Sequence, residues 1–253
     1  MGQIVAFVNQ KGGVGKTTSA VNLTAALAAK GKKVLLCDFD PQANATSGMG
    51  VDKNAVSLST YDLVINEQPA ADAVVKTKFG DVLPSSPALS GAGVELVGAA
   101  NREYALQKAL QPLRENYDYI FIDCPPSLEM LTLNALCAAD SILIPVQCEY
   151  FALEGLSDLM VTMRAVKRGL NPNLQIFGVL LTMFDGRTNF SSQVAEEVRR
   201  HFPGKVYATV IPRNVRLAEA PSHGLPVTFY DKFSRGAVAY NALAEEVLEK
   251  EML

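Results

Sequence analysis

Residues 4 to 18 read Ile4-Val5-Ala6-Phe7-Val8-Asn9-Gln10-Lys11-Gly12-Gly13-Val14-Gly15-Lys16-Thr17-Thr18. A short apolar run stops, a glycine-rich loop follows, and an amphipathic stretch opens from Ala20 to Ala29. Strand, loop and helix start in that order form the setting in which a backbone cradles phosphate. Gly12, Gly13 and Gly15 carry no Cβ, so the chain can curl around Val14 and aim successive N–H groups at an anion. The helix start adds partial positive charge at the same place. The loop is therefore expected to hold the phosphates of a nucleoside triphosphate. In that scheme Lys16 reaches the β- and γ-phosphates and the Thr17 hydroxyl sits on Mg²⁺. Lys11 is surplus to it. A second cation at the loop's opening wants a second anionic target, because the loop's own phosphates are already served by Lys16.

The rest of the chain supplies the frame. With 253 residues, 49% of them hydrophobic, it has enough apolar material for one large α/β domain spanning 1–253. Short apolar runs at 3–8, 33–38, 81–84, 118–123, 140–146, 175–183 and 206–211 read as strands buried on both faces. Helical periodicity covers 16–30, 101–115, 129–138, 153–169, 190–201 and 236–250, with Gly31 and Gly169 as helix stops. The stretch 84–100, rich in Pro, Ser and Gly, reads as a turn-rich excursion. Alternation of this kind predicts a doubly wound, mostly parallel sheet with helices on both faces and ligands at the carboxyl ends of its strands.

Several function classes are disfavoured. The start shows no basic stretch followed by an apolar segment, so secretion is not expected. Ala6 stands where a myristoylation signal wants Ser or Thr. No apolar run approaches the ~20 residues of a membrane helix. Cys37, Cys124, Cys137 and Cys148 form no Cys-x-x-Cys pair and read as reduced thiols of a cytoplasmic core. A formal net charge of −3 gives no global attraction to nucleic acid.

Two further segments carry carboxylates at strand ends. Val34-Leu35-Leu36-Cys37 runs into Asp38-Phe39-Asp40-Pro41-Gln42-Ala43-Asn44-Ala45-Thr46. At period 2, Asp38 and Asp40 point to one side. One of them is suited to hold a water of the Mg²⁺ shell and the other to orient the water that attacks the γ-phosphate. The run Tyr119-Ile120-Phe121-Ile122 ends in Asp123-Cys124-Pro125-Pro126-Ser127, an Asp in the position that supports Mg²⁺ through water, followed by a stiff turn.

Together these residues resemble the ParA/Soj family of partitioning ATPases, within the deviant phosphate-loop group that also holds MinD. The resemblance rests on 11–18, 38–46 and 123–127. It extends through Pro145-Val146-Gln147-Cys148-Glu149-Tyr150-Phe151-Ala152-Leu153-Glu154-Gly155 and through the run from Ile211 to Gly224. It implies a Mg²⁺-dependent ATPase that forms an ATP-sandwich homodimer. By resemblance Lys11 reaches the partner's phosphates in trans, and Gly12 lies at the dimer face. Thr18 contacts the α-phosphate, Asp40 positions the water, and Asp123, with Asp38, supports the metal shell through water. Pro212 and Asn214 fall at the adenine pocket. The family further implies non-specific DNA binding by the ATP-bound dimer through Arg187 and Arg216. It also implies a ParB-type activator of hydrolysis, a nucleoid-associated state with ATP, and chromosome or plasmid segregation as the outcome.

Two relatives in function differ in what they require. A MinD-like membrane- or protein-positioning ATPase needs a basic amphipathic C-terminal helix, whereas 244–253 is acidic and should be repelled by anionic lipid. An iron–sulfur ATPase needs paired cysteine ligands, and Cys124 and Cys148 lack that spacing.

Overall fold

The computed structural model describes residues 2–149 and 152–251; Tyr150 and Phe151, inside the matched 145–155 segment, lie outside the described residues, as do Met252 and Leu253. Six strands, β1 (Gln3–Phe7), β2 (Val34–Asp38), β3 (Asp81–Leu83), β4 (Tyr119–Asp123), β5 (Ser141–Gln147) and β6 (Gln175–Thr182), form one sheet in the order β3-β2-β4-β1-β5-β6. Every pairing is parallel. Five longer helices connect or flank them: α1 (Lys16–Ala29), α7 (Met130–Ala138), α8 (Ala152–Gly169), α9 (Asn189–His201) and α12 (Arg235–Glu251). The shorter ones are α2 (Asn44–Gly48), α3 (Thr60–Val64), α4 (Ala70–Ala73), α5 (Leu89–Glu95), α6 (Ala105–Leu110), α10 (Val215–Glu219) and α11 (Val227–Tyr230).

The strand alternation builds two cores. Val5 and Phe7 of β1 pack with α1 and α12, while Ile4 and Ala6 face the opposite layer with α6, α7, α8 and α9. Each fully buried Leu or Phe of these layers contributes about 1.5–3 kcal/mol relative to exposure. This is why the strands read as unbroken apolar runs rather than alternating ones. α1 starts at Gly15 and is closed by Gly31, whose φ of 85° lets the chain reverse while Lys32 donates its N–H back to the Leu27 carbonyl at 3.1 Å.

Four expectations need correction. The run 206–211 is no strand. It meets β6 at the isolated bridge Val179–Val206 and again where Ile211 N–H donates to the Leu181 carbonyl at 2.8 Å, but between them the N–H groups of Ala208 and Thr209 donate to the Glu246 carboxylate of α12 at 2.8 and 2.9 Å. That carboxylate takes donors which a ladder would need. The 101–115 helix is broken into tight turns at Arg102–Tyr104 and Gln111–Asn116 around α6, the second where Pro112 has no N–H to donate. Gly169 is the last residue of α8 rather than its stop. The excursion at 84–100 contains α5.

Candidate nucleotide site

Register fixes the site. Asp38 of β2 and Phe7 of β1 both pair with Asp123 of β4, so three neighbouring strands end at one level. The loop 9–15 leaves β1 at that level and crosses toward β5 and β6. Asn9 ties it down, its Nδ2 donating to the Pro145 carbonyl at 2.8 Å and its Oδ1 accepting from Lys11 N at 3.0 Å. Thr182, at the end of β6, donates its hydroxyl to the Val14 carbonyl at 2.8 Å. Gly13 and Gly15 take φ of 75° and 89°, left-handed values that a Cβ would strain. Gly12 is exposed, and a Cβ built on it would meet only the Pro126 Cβ, at 3.9 Å.

Lys16 is buried in the first turn of α1, and its Nζ donates to the Lys11 carbonyl at 3.0 Å. Burial lowers its pKa, opposed by the nearby Asp123 and Asp40 carboxylates. Thr17 and Thr18 follow, half-buried, on the same turn. The aliphatic stem of Lys11 lies along α8, so close to Gly155 that a Cβ there would stand 3.0 Å from its Cε.

The three carboxylates differ in surroundings. Asp38 is fully buried and already accepts three donors: Thr46 N and Thr46 Oγ1, both at 2.7 Å, and Asp40 N at 3.2 Å. Burial pushes its pKa up to about 6, with the Thr46 and Asp40 hydrogen bonds pulling the other way. Asp40 is 8% exposed, and its Oδ1 accepts the Gln42 N–H at 2.9 Å, closing the turn that precedes α2. Asp123 is fully buried and neither of its oxygens has a hydrogen-bond partner, although the Thr17 hydroxyl lies near enough to counter part of the desolvation. Burial, then the Asp38 charge, raise its pKa well above the usual carboxylate range.

The distal residues fall as follows. The 211–214 segment crosses the end of β6, with Phe184 N donating to the Ile211 carbonyl at 3.0 Å. Pro212 and Asn214 therefore sit on the rim that also carries the loop. Asn214 uses its Oδ1 to accept Arg216 N at 2.9 Å and cap α10. Arg187 is exposed and holds Asp185 in a two-point pair, Nε to Oδ1 at 2.9 Å and Nη2 to Oδ2 at 2.7 Å. Arg216 pairs with Glu219 at 2.7 Å and reaches Asp231 at 3.4 Å. Both arginines thus stand on the surface beside a carboxylate of this chain.

The AAA domain family model matches residues 2–176. Over 249 residues, covering 98% of both chains, the sequence is 57% identical to the sporulation initiation inhibitor protein Soj of Bacillus subtilis. The chain belongs to the Soj/ParA family of chromosome-partitioning ATPases. A second Soj/ParA relative, the chromosome partitioning protein ParA of Myxococcus xanthus, is 51% identical over 99% of this chain and 89% of its own. Among solved structures, cobyrinic acid a,c-diamide synthase from Mycobacterium smegmatis with bound ATP analogue and magnesium superposes with a TM-score of 0.88 at 36% identity, covering 98% of this chain and 94% of that one.

Within this Soj/ParA site, four side chains or positions had no role assigned from sequence. Asn9 and Thr46 lie inside the quoted motifs, and each acts by hydrogen bonding to a partner that the linear sequence does not reveal. Thr182 reaches the loop across 168 positions, and Gly155 carries no side chain to mark the Lys11 stem that rests on it.

Proposed function

We propose that the chain, as a single ATPase domain over 1–253, uses Mg²⁺-dependent hydrolysis of ATP to ADP and phosphate as a switch between two association states. ATP closes two copies into a sandwich, the paired copies bind DNA without sequence preference, and hydrolysis stimulated by a ParB-type activator releases it. Cycling between these states drives segregation of a chromosome or plasmid. The observation that carries the hydrolytic part is Asp123. A buried carboxylate with no partner is costly, and it stands where Lys16 and Thr17 converge. A hydrated divalent cation satisfies that group, so the residues fit Mg²⁺, with Thr17 as direct ligand and Asp123 acting through water. Held by Thr17 and Asp123, the ion would supply positive charge against the phosphate oxygens.

The chain's own groups do the rest. The N–H groups of residues 12–15 and the Lys16 ammonium hold the β- and γ-phosphates, and Thr18 reaches the α-phosphate. Asp40, held in its turn by Asp38, orients the attacking water. The three donors on Asp38 favour this positioning role over the water-mediated metal contact expected from its place in the motif. Pro212 and Asn214 flank the adenine. Lys11 of the partner subunit enters the site as negative charge shifts to the leaving oxygen.

Gly12 supports the sandwich. Its own fold leaves room for a side chain, so the constraint on that position comes from a second copy. Arg187 and Arg216 form the DNA-facing cations. Their surface ion pairs are weak enough for phosphates to displace, and dimerisation doubles the number of contacts. No described helix is long and apolar enough to cross a membrane, and we place the protein in the cytoplasm, on the nucleoid when ATP-bound.

The test is molar mass by light scattering together with duplex-DNA anisotropy, each with ATP, ADP and no nucleotide. A dimer and DNA binding with ATP alone are expected. An ATP dimer indifferent to DNA would move the chain to the MinD-like positioning class.

A further inference from the structure

Beside Arg216 stands an aromatic ring that no part of the fold uses. Phe233 is 82% exposed, and its neighbours Lys232 and Arg235 are exposed as well. Three hydrogen bonds hold the turn that carries it. Asp231 Oδ1 accepts Phe233 N–H at 3.2 Å, the Asp231 carbonyl accepts Ser234 N–H at 3.1 Å, and Ser234 Oγ accepts Ala237 N–H at 3.2 Å to cap α12. The other Asp231 oxygen, Oδ2, lies 3.4 Å from Arg216 Nε. One carboxylate therefore holds both the backbone of the turn and the arginine. α10 and α12 meet closely behind them, since a Cβ on Gly236 would stand 2.7 Å from Leu217 Cγ. Val215 and Val238, 65% and 58% exposed, stand on the same two helices.

A phenyl ring displayed to solvent on a hydrogen-bonded turn meets only the Lys232 ammonium inside the monomer. Its surroundings name the chemistry of what covers it. Arg213, Arg216, Lys232 and Arg235 are all exposed here, against Glu149 (3.5 Å from Arg213 Nη2), Glu219 and Asp231, and Lys232 Nζ stands 4.9 Å from the ring centre. A single aromatic among cations suits a polyanion with apolar faces between its charges, which is a nucleic-acid duplex. A bilayer would ask for a broader apolar face. We propose that Phe233 is a DNA-contacting residue of the ATP-bound dimer, its ring reaching past the phosphates that Arg216, Lys232 and Arg235 bind to press on sugar and base edges. The inference rests on the DNA-binding reading above and adds an apolar, salt-insensitive component to it. Apolar wedges of this kind act without sequence code and favour easily unstacked steps.

The chain contains no tryptophan, so Phe233→Trp places a unique fluorophore at the contact. Phe233→Ala, Phe233→Trp and Arg216→Ala are compared with the parent in ATP at several salt concentrations, on duplex DNA. Phe233→Ala should weaken binding about tenfold with the log affinity against log salt slope unchanged. Arg216→Ala, which removes one cation from each copy of the dimer, should reduce that slope by about two. Phe233→Trp should bind like the parent, its emission changing on DNA only with ATP. Parent-like affinity of Phe233→Ala, or Trp emission indifferent to DNA, overturns the proposal while a weakened Arg216→Ala leaves the DNA reading standing. Failure of the parent itself to bind DNA removes both. Emission that shifts on anionic vesicles and not on DNA would overturn the proposal in favour of a lipid surface.

Discussion

Asp123 costs the empty protein stability. In the nucleotide-free, metal-free chain its raised pKa means that the folded state holds a proton which the unfolded chain has already released. Stability from this group is therefore lost as pH rises through the acidic range toward its folded pKa. Asp123→Asn puts there a group that is neutral in both folded and unfolded states and so takes up no proton on folding. It should raise the melting temperature of the apo protein at neutral pH by at least about 2 °C, with a gain that shrinks toward pH 4, while abolishing Mg²⁺-dependent turnover. Thermal scans from pH 4 to pH 8 check this, and a lower melting temperature at pH 8 would contradict it. Gly12 makes the opposite case, a position free in the monomer. Gly12→Val should fold and bind ATP like the parent yet stay monomeric with ATP in light scattering; failure to bind ATP would place its constraint inside the monomer instead. The motif residues at 11–18, 40 and 123 were legible because the chemistry and the strand-end position are contiguous in sequence. The Asp38–Thr46 pair was not, because nothing in a linear run says which of four lone pairs is already occupied.

At the scale of elements, the strands that succeeded as sequence readings are those whose middle positions are apolar on both faces, with polar residues confined mainly to their ends. The run at 206–211 is equally apolar and is still no strand. The difference lies in Glu246, 38 residues from Ala208, whose carboxylate supplies a competing acceptor for two backbone donors. Removing it leaves the Thr209 donor unpaired at a partly buried site, which costs about 1–3 kcal/mol at most, while the exposed Ala208 donor can turn to water. Glu246→Ala should lower the urea midpoint without changing the slope, and Glu246→Gln, which keeps one acceptor oxygen, should lower it less. Equal midpoints for parent and Glu246→Ala would show that the 206–211 segment does not depend on this tie. The break at Pro112 belongs to the same scale: helical periodicity ran through 101–115, and a single missing N–H outweighed it.

For the whole molecule, the parallel order β3-β2-β4-β1-β5-β6 gathers every loop that matters onto one rim. The glycine-rich loop, the Asp40 turn, Asp123 and the 211–214 crossing all leave carboxyl ends of strands. This gathering was readable from strand–helix alternation alone. What sequence could not supply is how the surface charges pair. Arg187 and Arg216 each stand against a carboxylate of their own chain, and the acidic total charge conceals the local cations beside Phe233. Lys16, Asp40 and Asp123 converge within one chain, whereas Lys11 lies back along α8 over Gly155.

That Lys11 works across the dimer is the central claim, and mixing two inactive variants tests it most directly. Lys11→Ala lacks only the lysine it lends, and Asp40→Ala lacks only the water-positioning carboxylate of its own site. In a mixed dimer, the site of the Lys11→Ala copy has its own Asp40 and receives Lys11 of the partner subunit. The two variants, combined before ATP is added, should recover up to about half of the parent's turnover per mixed dimer, far above either alone. A mixture no more active than its separate components would mean that Lys11 acts within its own chain, and would contradict the account.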